Sequence, residues 1–224
     1  MQFHEDVIFK CEGQEYGQKL LDIIGIEGKV IEVHQTESAI IDPKMYKPDL
    51  VFELEDKIVI LEFESSFVNV SDKRRFRFYT ALMDHVKIKS KKPIEVHVIS
   101  TVERKKTKWY NVNSQSRFPI YIHSLKNVDG DKFLNNIGSN ERFDEKELLM
   151  LSLLCFMESD NDVEHAILNS AVAITNIKYL NGDIGQFVKG VILMLCDKFV
   201  KDEALSKTIS NLVGGNMKIV EDYA

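Results

Sequence analysis

The first half of the chain alternates between apolar runs of strand length and segments with helical spacing. Strands are indicated where two sets of residues alternate in a segment that contains β-branched side chains. At 29–36, for example, Val30, Glu32 and His34 alternate with Ile31, Val33 and Gln35. Helices are indicated where apolar residues recur three and four positions apart. The predicted order is a helix at 12–25, strands at 29–36, 48–55 and 57–65, a helix at 73–85, and strands at 93–101 and 120–125.

Two of these strands, 48–55 and 57–65, are separated by a tight turn, which predicts an antiparallel hairpin. The second strand is apolar on both faces, as expected of a central, covered strand. Its end differs, because Glu62 and Glu64 lie two positions apart and therefore project to the same face. Buried carboxylates need a cation or a hydrogen-bond network, so this strand end is a candidate functional site.

The helix at 73–85 follows a Ser-Asp pair at 71–72, which we expect to cap it. Its first turns carry Lys73, Arg74 and Arg77, although basic residues at a helix N-terminus oppose the helix dipole. A neighbouring acidic or phosphate-binding site would explain this placement.

A second basic segment, 104–110, is predicted to be a loop. It contains Lys105 and Lys106, followed by Trp109 and Tyr110. Two interpretations of the aromatic pair remain open: the rings stack on nucleic-acid bases, or they anchor the loop to the core.

The second half of the chain has helical periodicity throughout. We therefore expect two domains, an α/β domain at 1–130 and a helical region at 131–224. Asp144 is the predicted cap of a helix whose leucine-rich part, 148–157, belongs either to the core or to a homodimer interface. The predicted helices are 131–137, 145–158, 163–180, 184–199 and 202–213.

Charge is distributed unevenly along the chain. The 224 residues carry a net charge of -6, but residues 73–117 hold 13 basic residues against three acidic ones, a net of +10. Such a segment can attract phosphate even in an acidic protein, although a solvated surface would have the same composition. No stretch has membrane-spanning length or the features of a signal peptide. The three cysteines are far apart and odd in number, so we expect a cytoplasmic protein with no membrane partner.

Asp49 and Glu62-Phe63-Glu64 now stand on consecutive strands, within an order of helix, three strands, helix and strand. This arrangement resembles the PD-(D/E)XK nuclease superfamily, with Pro48-Asp49 as the first half of its motif. The segments 61–66 and 72–79 are similar to those of the recombination-promoting nuclease and putative transposase branch. The resemblance implies a restriction-endonuclease-like αβββαβ core with a mixed central sheet. It also implies a metal-dependent DNA endonuclease, linked to recombination or mobile elements.

The resemblance assigns catalytic roles to Asp49, Glu62 and Glu64. Asp49, Glu62 and the main-chain oxygen of Phe63 offer hard oxygen ligands, which suit Mg²⁺ or Mn²⁺. A glutamate of the first helix is a further candidate ligand, with Glu15 favoured over Glu12. The residues expected to bind phosphate are Lys73, Arg74, Arg77, Lys105 and Lys106.

One position departs from the superfamily pattern, because Glu64 stands where a lysine is usual. Glu64 supplies no positive charge, so a cation from the following helix would have to replace the lysine. A catalytically inactive nuclease-fold protein that binds nucleic acid or a protein partner is therefore the alternative. His34 and His97 are interpreted as packed or exposed strand residues. No Gly-rich phosphate loop or nucleophile elbow supports ATP use or serine hydrolysis.

Overall fold

The computed structural model describes residues 3–34, 48–84, 92–104, 106–112, 116–137, 143–177 and 182–214. Compact clusters of contacts divide the chain into two units, Met1–Lys126 and Asn127–Ala224. The first unit is α/β and the second is helical. No helix among the described residues is long and apolar enough to cross a membrane.

The first unit is built on a six-stranded mixed sheet with the strand order β1-β2-β3-β4-β6-β5. The first three strands pair antiparallel, so the predicted hairpin is confirmed, and β3–β4 and β4–β6 pair parallel. β5 pairs antiparallel with β6 at the sheet edge. The elements are α1 (Phe3–Ile23), β1 (Val30–His34), β2 (Leu50–Leu54), β3 (Ile58–Glu64), α2 (Val70–Leu82), β4 (Ile94–Ser100), β5 (Thr107–Asn111) and β6 (Arg117–Ser124).

Strand β3 is the buried centre of this unit, as its composition predicts. All seven of its residues are buried. Ile58 and Ile60 pack in a core with Phe76 and Tyr79 of α2, so α2 covers the face that also carries Glu62 and Glu64.

Helix α1 covers the opposite face, and it starts earlier than the predicted helix at 12–25. Two glycines let it approach the sheet closely. A Cβ atom at Gly13 would lie 2.0 Å from Leu50 Cδ1, and one at Gly17 would lie 2.5 Å from Phe52 Cε1. The predicted stop at Gly25 is confirmed, since this residue follows the helix with φ of 75°.

The predicted cap of α2 is wrong by two residues. Asn69 is the N-cap, and its side chain accepts hydrogen bonds from the backbone of Ser71 and Asp72. The side chain of Asp72 in turn accepts a hydrogen bond from the backbone N–H of Asn69 at 2.9 Å, which completes a capping box. The acidic Asp72 thus lies in the first turn and offsets the basic residues beside it.

The predicted basic loop at 104–110 is in part a strand, β5. Alternating residues of β5 face opposite sides of the sheet, and Trp109 is 45% exposed. Trp109 therefore lies on an edge strand and not in a loop, with its indole partly open to solvent. Lys108 does hold the strand in place, because its ammonium bonds the Val68 carbonyl at 2.9 Å and pairs with the buried Glu103.

The second unit consists of helices that pack around a leucine-rich core. The predicted Asp144 cap is confirmed, with a capping box to Glu147. All apolar side chains of 148–157 except Met150 are buried, so the residues on which the homodimer prediction depended are core residues. The helices are α3 (Gly130–Ile137), α4 (Glu145–Leu153), α5 (Val163–Asn176), α6 (Gly182–Phe199) and α7 (Glu203–Val213).

Candidate carboxylate site

Strands β2 and β3 are joined beyond their last paired residues by two carboxylates instead of by backbone groups. The backbone N–H of Asp49 donates to Glu62 Oε1 at 2.9 Å. The N–H of Phe63 donates to Asp49 Oδ2 at 3.0 Å. These reciprocal hydrogen bonds fix the two carboxylates side by side, and each keeps a second oxygen for other partners.

Those second oxygens face cations from the two helices. Lys10 of α1 lies with its Nζ 2.9 Å from Asp49 Oδ1. Arg75 of α2 lies with its Nη2 3.5 Å from Glu62 Oε2 and 2.5 Å from Glu64 Oε1. The guanidinium therefore bridges the two glutamates of β3. We refer to Asp49, Glu62 and Glu64 as the carboxylate site.

Burial dominates the electrostatics of the site. The pKa of Glu62, which is 3% exposed, is raised well above its ordinary value by burial and by the charge of Asp49. Burial also raises the pKa of Glu64 to about 7, while Arg75 opposes the shift. The pKa of the nearby Tyr79 hydroxyl is raised by its own burial and by the charge of Glu62.

The described side chains of the site carry more negative than positive charge. Arg75 also approaches Asp72, at 3.8 Å, so four carboxylates face the two cations Lys10 and Arg75. When all are ionised, the group has a net charge of −2. Hard oxygen donors with this charge fit a divalent cation, provided that Lys10 and Arg75 give up the oxygens they now hold.

The burial of the two glutamates of α1 does not favour Glu15, the residue predicted as a further metal ligand. Glu15 is exposed, whereas Glu12 is fully buried. If a glutamate of α1 takes part in the site, burial favours Glu12.

Of the predicted phosphate-binding residues, Arg74, Arg77 and Lys106 are exposed to solvent. Lys73 bonds the Trp109 carbonyl at 3.0 Å and so ties α2 to β5. Lys105 lies outside the described residues. None of these side chains is the cation that holds the glutamates of β3, because that cation is Arg75.

A separate group on β1 and β2 was missed by the sequence interpretation of His34. Ligand atoms of Glu32, His34 and Glu53 lie within 4.8 Å of one another, and among the described residues no other set of three histidine, cysteine or acidic side chains meets this distance. Glu53 also accepts a 2.7 Å hydrogen bond from Lys92, which lowers the pKa of its carboxyl. The spacing of Glu32 and His34 on one strand face was the available signal.

His97, interpreted from sequence as a packed or exposed strand residue, is buried in a hydrogen-bonded pair. Its Nδ1 lies 2.8 Å from His123 Nε2, and its Nε2 lies 3.0 Å from Glu95 Oε2. The pair occupies the sheet face opposite Glu62, since His97 aligns with Leu61. Burial lowers the pKa of both histidines, that of His123 to about 4.

The chain matches no family model, and no similar protein was found among curated sequences or solved structures.

Proposed function

We propose that the protein is a metal-dependent nuclease of the PD-(D/E)XK type that hydrolyses phosphodiester bonds in DNA. The observation that carries the proposal is the pair of carboxylates, Asp49 and Glu62, fixed where β2 and β3 end their pairing. The order α1-β1-β2-β3-α2-β4 supports it, because this is the αβββαβ order that the sequence resemblance implies. The link to recombination or mobile elements is a further part of the proposal and depends on that resemblance.

The metal ligands in this proposal are Asp49, Glu62 and the main-chain oxygen of Phe63. A bound Mg²⁺ or Mn²⁺ would lower the pKa of a water molecule and stabilise charge on a phosphoryl oxygen. When its carboxylates are ionised, the site has a net charge of −2, which favours a divalent ion over a monovalent one.

Arg75 takes the role that a lysine has in the superfamily pattern. Its guanidinium is held 2.5 Å from Glu64, so the glutamate at the lysine position orients an arginine instead of supplying a cation itself. In hydrolysis, a water oxygen bonds to phosphorus as the bond to the leaving oxygen breaks. Arg75 would bind the phosphate oxygens that gain negative charge during this step.

The test is cleavage of supercoiled and single-stranded circular DNA with Mg²⁺ or Mn²⁺ by the wild-type chain and by Glu62→Gln. Glutamine keeps an oxygen that can accept a hydrogen bond from the backbone N–H of Asp49. The variant therefore preserves this link between β2 and β3 and removes only the charge. Glu55→Gln is the matched control, because Glu55 is an exposed acidic residue of the turn between β2 and β3. We expect at least a hundredfold loss for Glu62→Gln and none for Glu55→Gln. Equal cleavage by all three proteins would refute the assignment.

A non-catalytic nuclease fold is the second candidate, and the positions of Lys10 and Arg75 favour it. These cations already neutralise the carboxylate oxygens that a metal would need, at 2.9 Å from Asp49 and 3.5 Å from Glu62. Calorimetry with Mn²⁺ separates the two candidates. Binding that Glu62→Gln abolishes and Glu53→Gln preserves supports the nuclease. Absence of binding, or binding that only Glu53→Gln removes, supports the non-catalytic fold.

A further inference from the structure

The β5–β6 hairpin presents one face with an exposed tryptophan, an exposed arginine and a half-buried tyrosine. Trp109 pairs across the strands with Pro119, and the neighbouring pairs are Asn111 with Arg117 and Thr107 with Tyr121. Side chains that face each other across an antiparallel pair lie on the same side of the sheet. We call Trp109, Arg117 and Tyr121 the hairpin face.

The exposure of Trp109 is the first argument for a ligand at this face. Burying a large side chain stabilises a fold, yet the indole remains 45% exposed on a strand whose other face is packed. Arg117 stacks its guanidinium 4.1 Å from the centre of the ring. The arrangement offers a flat aromatic and cationic surface to solvent.

Charge identifies the kind of ligand that this surface suits. Between Glu103 and Asp129 the sequence contains six basic residues and no acidic one. Of these, Arg117 is exposed on the hairpin face, and Arg104 and Lys106 are exposed in the segment that leads into β5. A basic segment beside an exposed indole matches a phosphate backbone that carries bases able to stack.

Spacing along the strands distinguishes single strands from duplexes. Neighbouring side chains on one face of a strand are about 7 Å apart, roughly twice the rise per nucleotide within a duplex strand. Bases can contact successive positions of the hairpin face only if they are unstacked. Only unpaired bases present a free ring face to an aromatic side chain.

We propose that the hairpin face binds single-stranded nucleic acid through stacking on Trp109 and phosphate contacts with Arg117. The inference rests on the proposed function for the class of ligand, and it adds a second site and a strand preference. Tyr121 aligns with His97, whereas Glu62 aligns with Val98, the neighbour of His97 on β4. The hairpin face is therefore on the opposite side of the sheet from the carboxylate site.

Trp109 is the single tryptophan of the chain, so intrinsic fluorescence reports on the proposed site directly. The wild-type protein is titrated in EDTA with a short oligothymidylate, a duplex of equal phosphate content, and inorganic polyphosphate. We expect saturable quenching by the oligothymidylate alone. Equal quenching by all three would show a general response to polyanions and would overturn the proposal.

Variants then separate stacking from charge, using the anisotropy of a dye-labelled oligothymidylate. Trp109→Leu is expected to weaken binding by about 5- to 100-fold without changing its salt dependence. Arg117→Ala is expected to weaken binding and to reduce the salt slope by about one. Ile31→Ala is the control, since Ile31 is an exposed apolar side chain, 59% exposed, on the strand at the opposite edge of the sheet. An unchanged affinity for Trp109→Leu would refute the stacking site.

Failure of this inference and failure of the proposed function are distinguishable. Binding is measured in EDTA and does not require cleavage. Cleavage that depends on Glu62, together with normal binding by Trp109→Leu, would refute the hairpin site and leave the nuclease proposal intact. Quenching of Trp109 by the oligothymidylate without cleavage of any DNA would refute the nuclease proposal and leave the hairpin site intact.

Discussion

Replacing Arg75 with methionine should destabilise the first unit, because this residue is the cation held between the two glutamates of β3. Methionine retains much of the apolar stem and removes the charge. Glu62 and Glu64 are 3% and 6% exposed, and Lys10, the other described cation of the site, contacts Asp49. The substitution therefore leaves two buried carboxylates without the guanidinium that bridges them.

Breaking a buried ion pair by removing one partner costs about 3–5 kcal/mol. The side chain of Arg75 is 34% exposed, so water screens part of the interaction and the low end of this range applies. We expect a loss of about 3 kcal/mol, a large share of the ~5–15 kcal/mol stability of a typical domain. With a typical dependence of ~2 kcal/mol per molar urea, the unfolding midpoint would fall by about 1.5 M.

Urea unfolding followed by Trp109 fluorescence is the assay, since this tryptophan lies in the first unit and reports on that unit. Arg74→Met is the matched control, because Arg74 is exposed on the same helix and should change stability by less than about 0.5 kcal/mol. Adding Glu64→Gln to Arg75→Met should recover about 1–2 kcal/mol, since the double variant buries one fewer unpaired charge. The reasoning is wrong if Arg75→Met and Arg74→Met unfold at the same urea concentration.

Three further predictions concern the sheet and its helices. The unfolded chain binds protons near the ordinary histidine pKa of 6.5 while the pKa of folded His123 is about 4, so the contribution of His123 to stability should fall by up to about 3 kcal/mol as pH falls through this window. Unfolding measured against pH should show a smaller fall for His123→Phe. Gly13→Ala should cost about 1–3 kcal/mol in urea unfolding, because its Cβ would lie 2.0 Å from Leu50 Cδ1, and Leu50→Ala should relieve part of this cost if the clash is the cause. Asn69→Ala should cost about 1 kcal/mol through loss of the α2 cap, whereas Ser71→Ala, the predicted cap, should cost less; equal losses would contradict the Asn69 assignment.

The course of the chain through the sheet follows from local patterns. The apolar run of β3 predicts a central strand, and the short turn before it predicts the hairpin with β2. The same-face position of Glu62 and Glu64 follows from the two-residue repeat of a strand. These features depend on neighbouring residues alone, which is why the sequence is sufficient for them.

The partners of the carboxylates could not be predicted in the same way. Arg75 lies among three other basic residues between positions 73 and 77, and only the rotation of α2 against β3 decides which one points inward. Lys10 reaches Asp49 from a part of α1 that precedes the predicted helix. Strand β5 was missed because its inward and outward residues do not follow the usual apolar and polar alternation. Lys108 faces a buried partner, whereas Trp109 faces solvent.

The cations of the carboxylate site come from helices that cover opposite faces of one sheet. Lys10 belongs to α1, which packs on Leu50 and Phe52, whereas Arg75 belongs to α2, which packs on Ile58 and Ile60. A ligand that displaced both cations would therefore break one ion pair with α1 and one with α2, the two helices that cover opposite faces of the sheet.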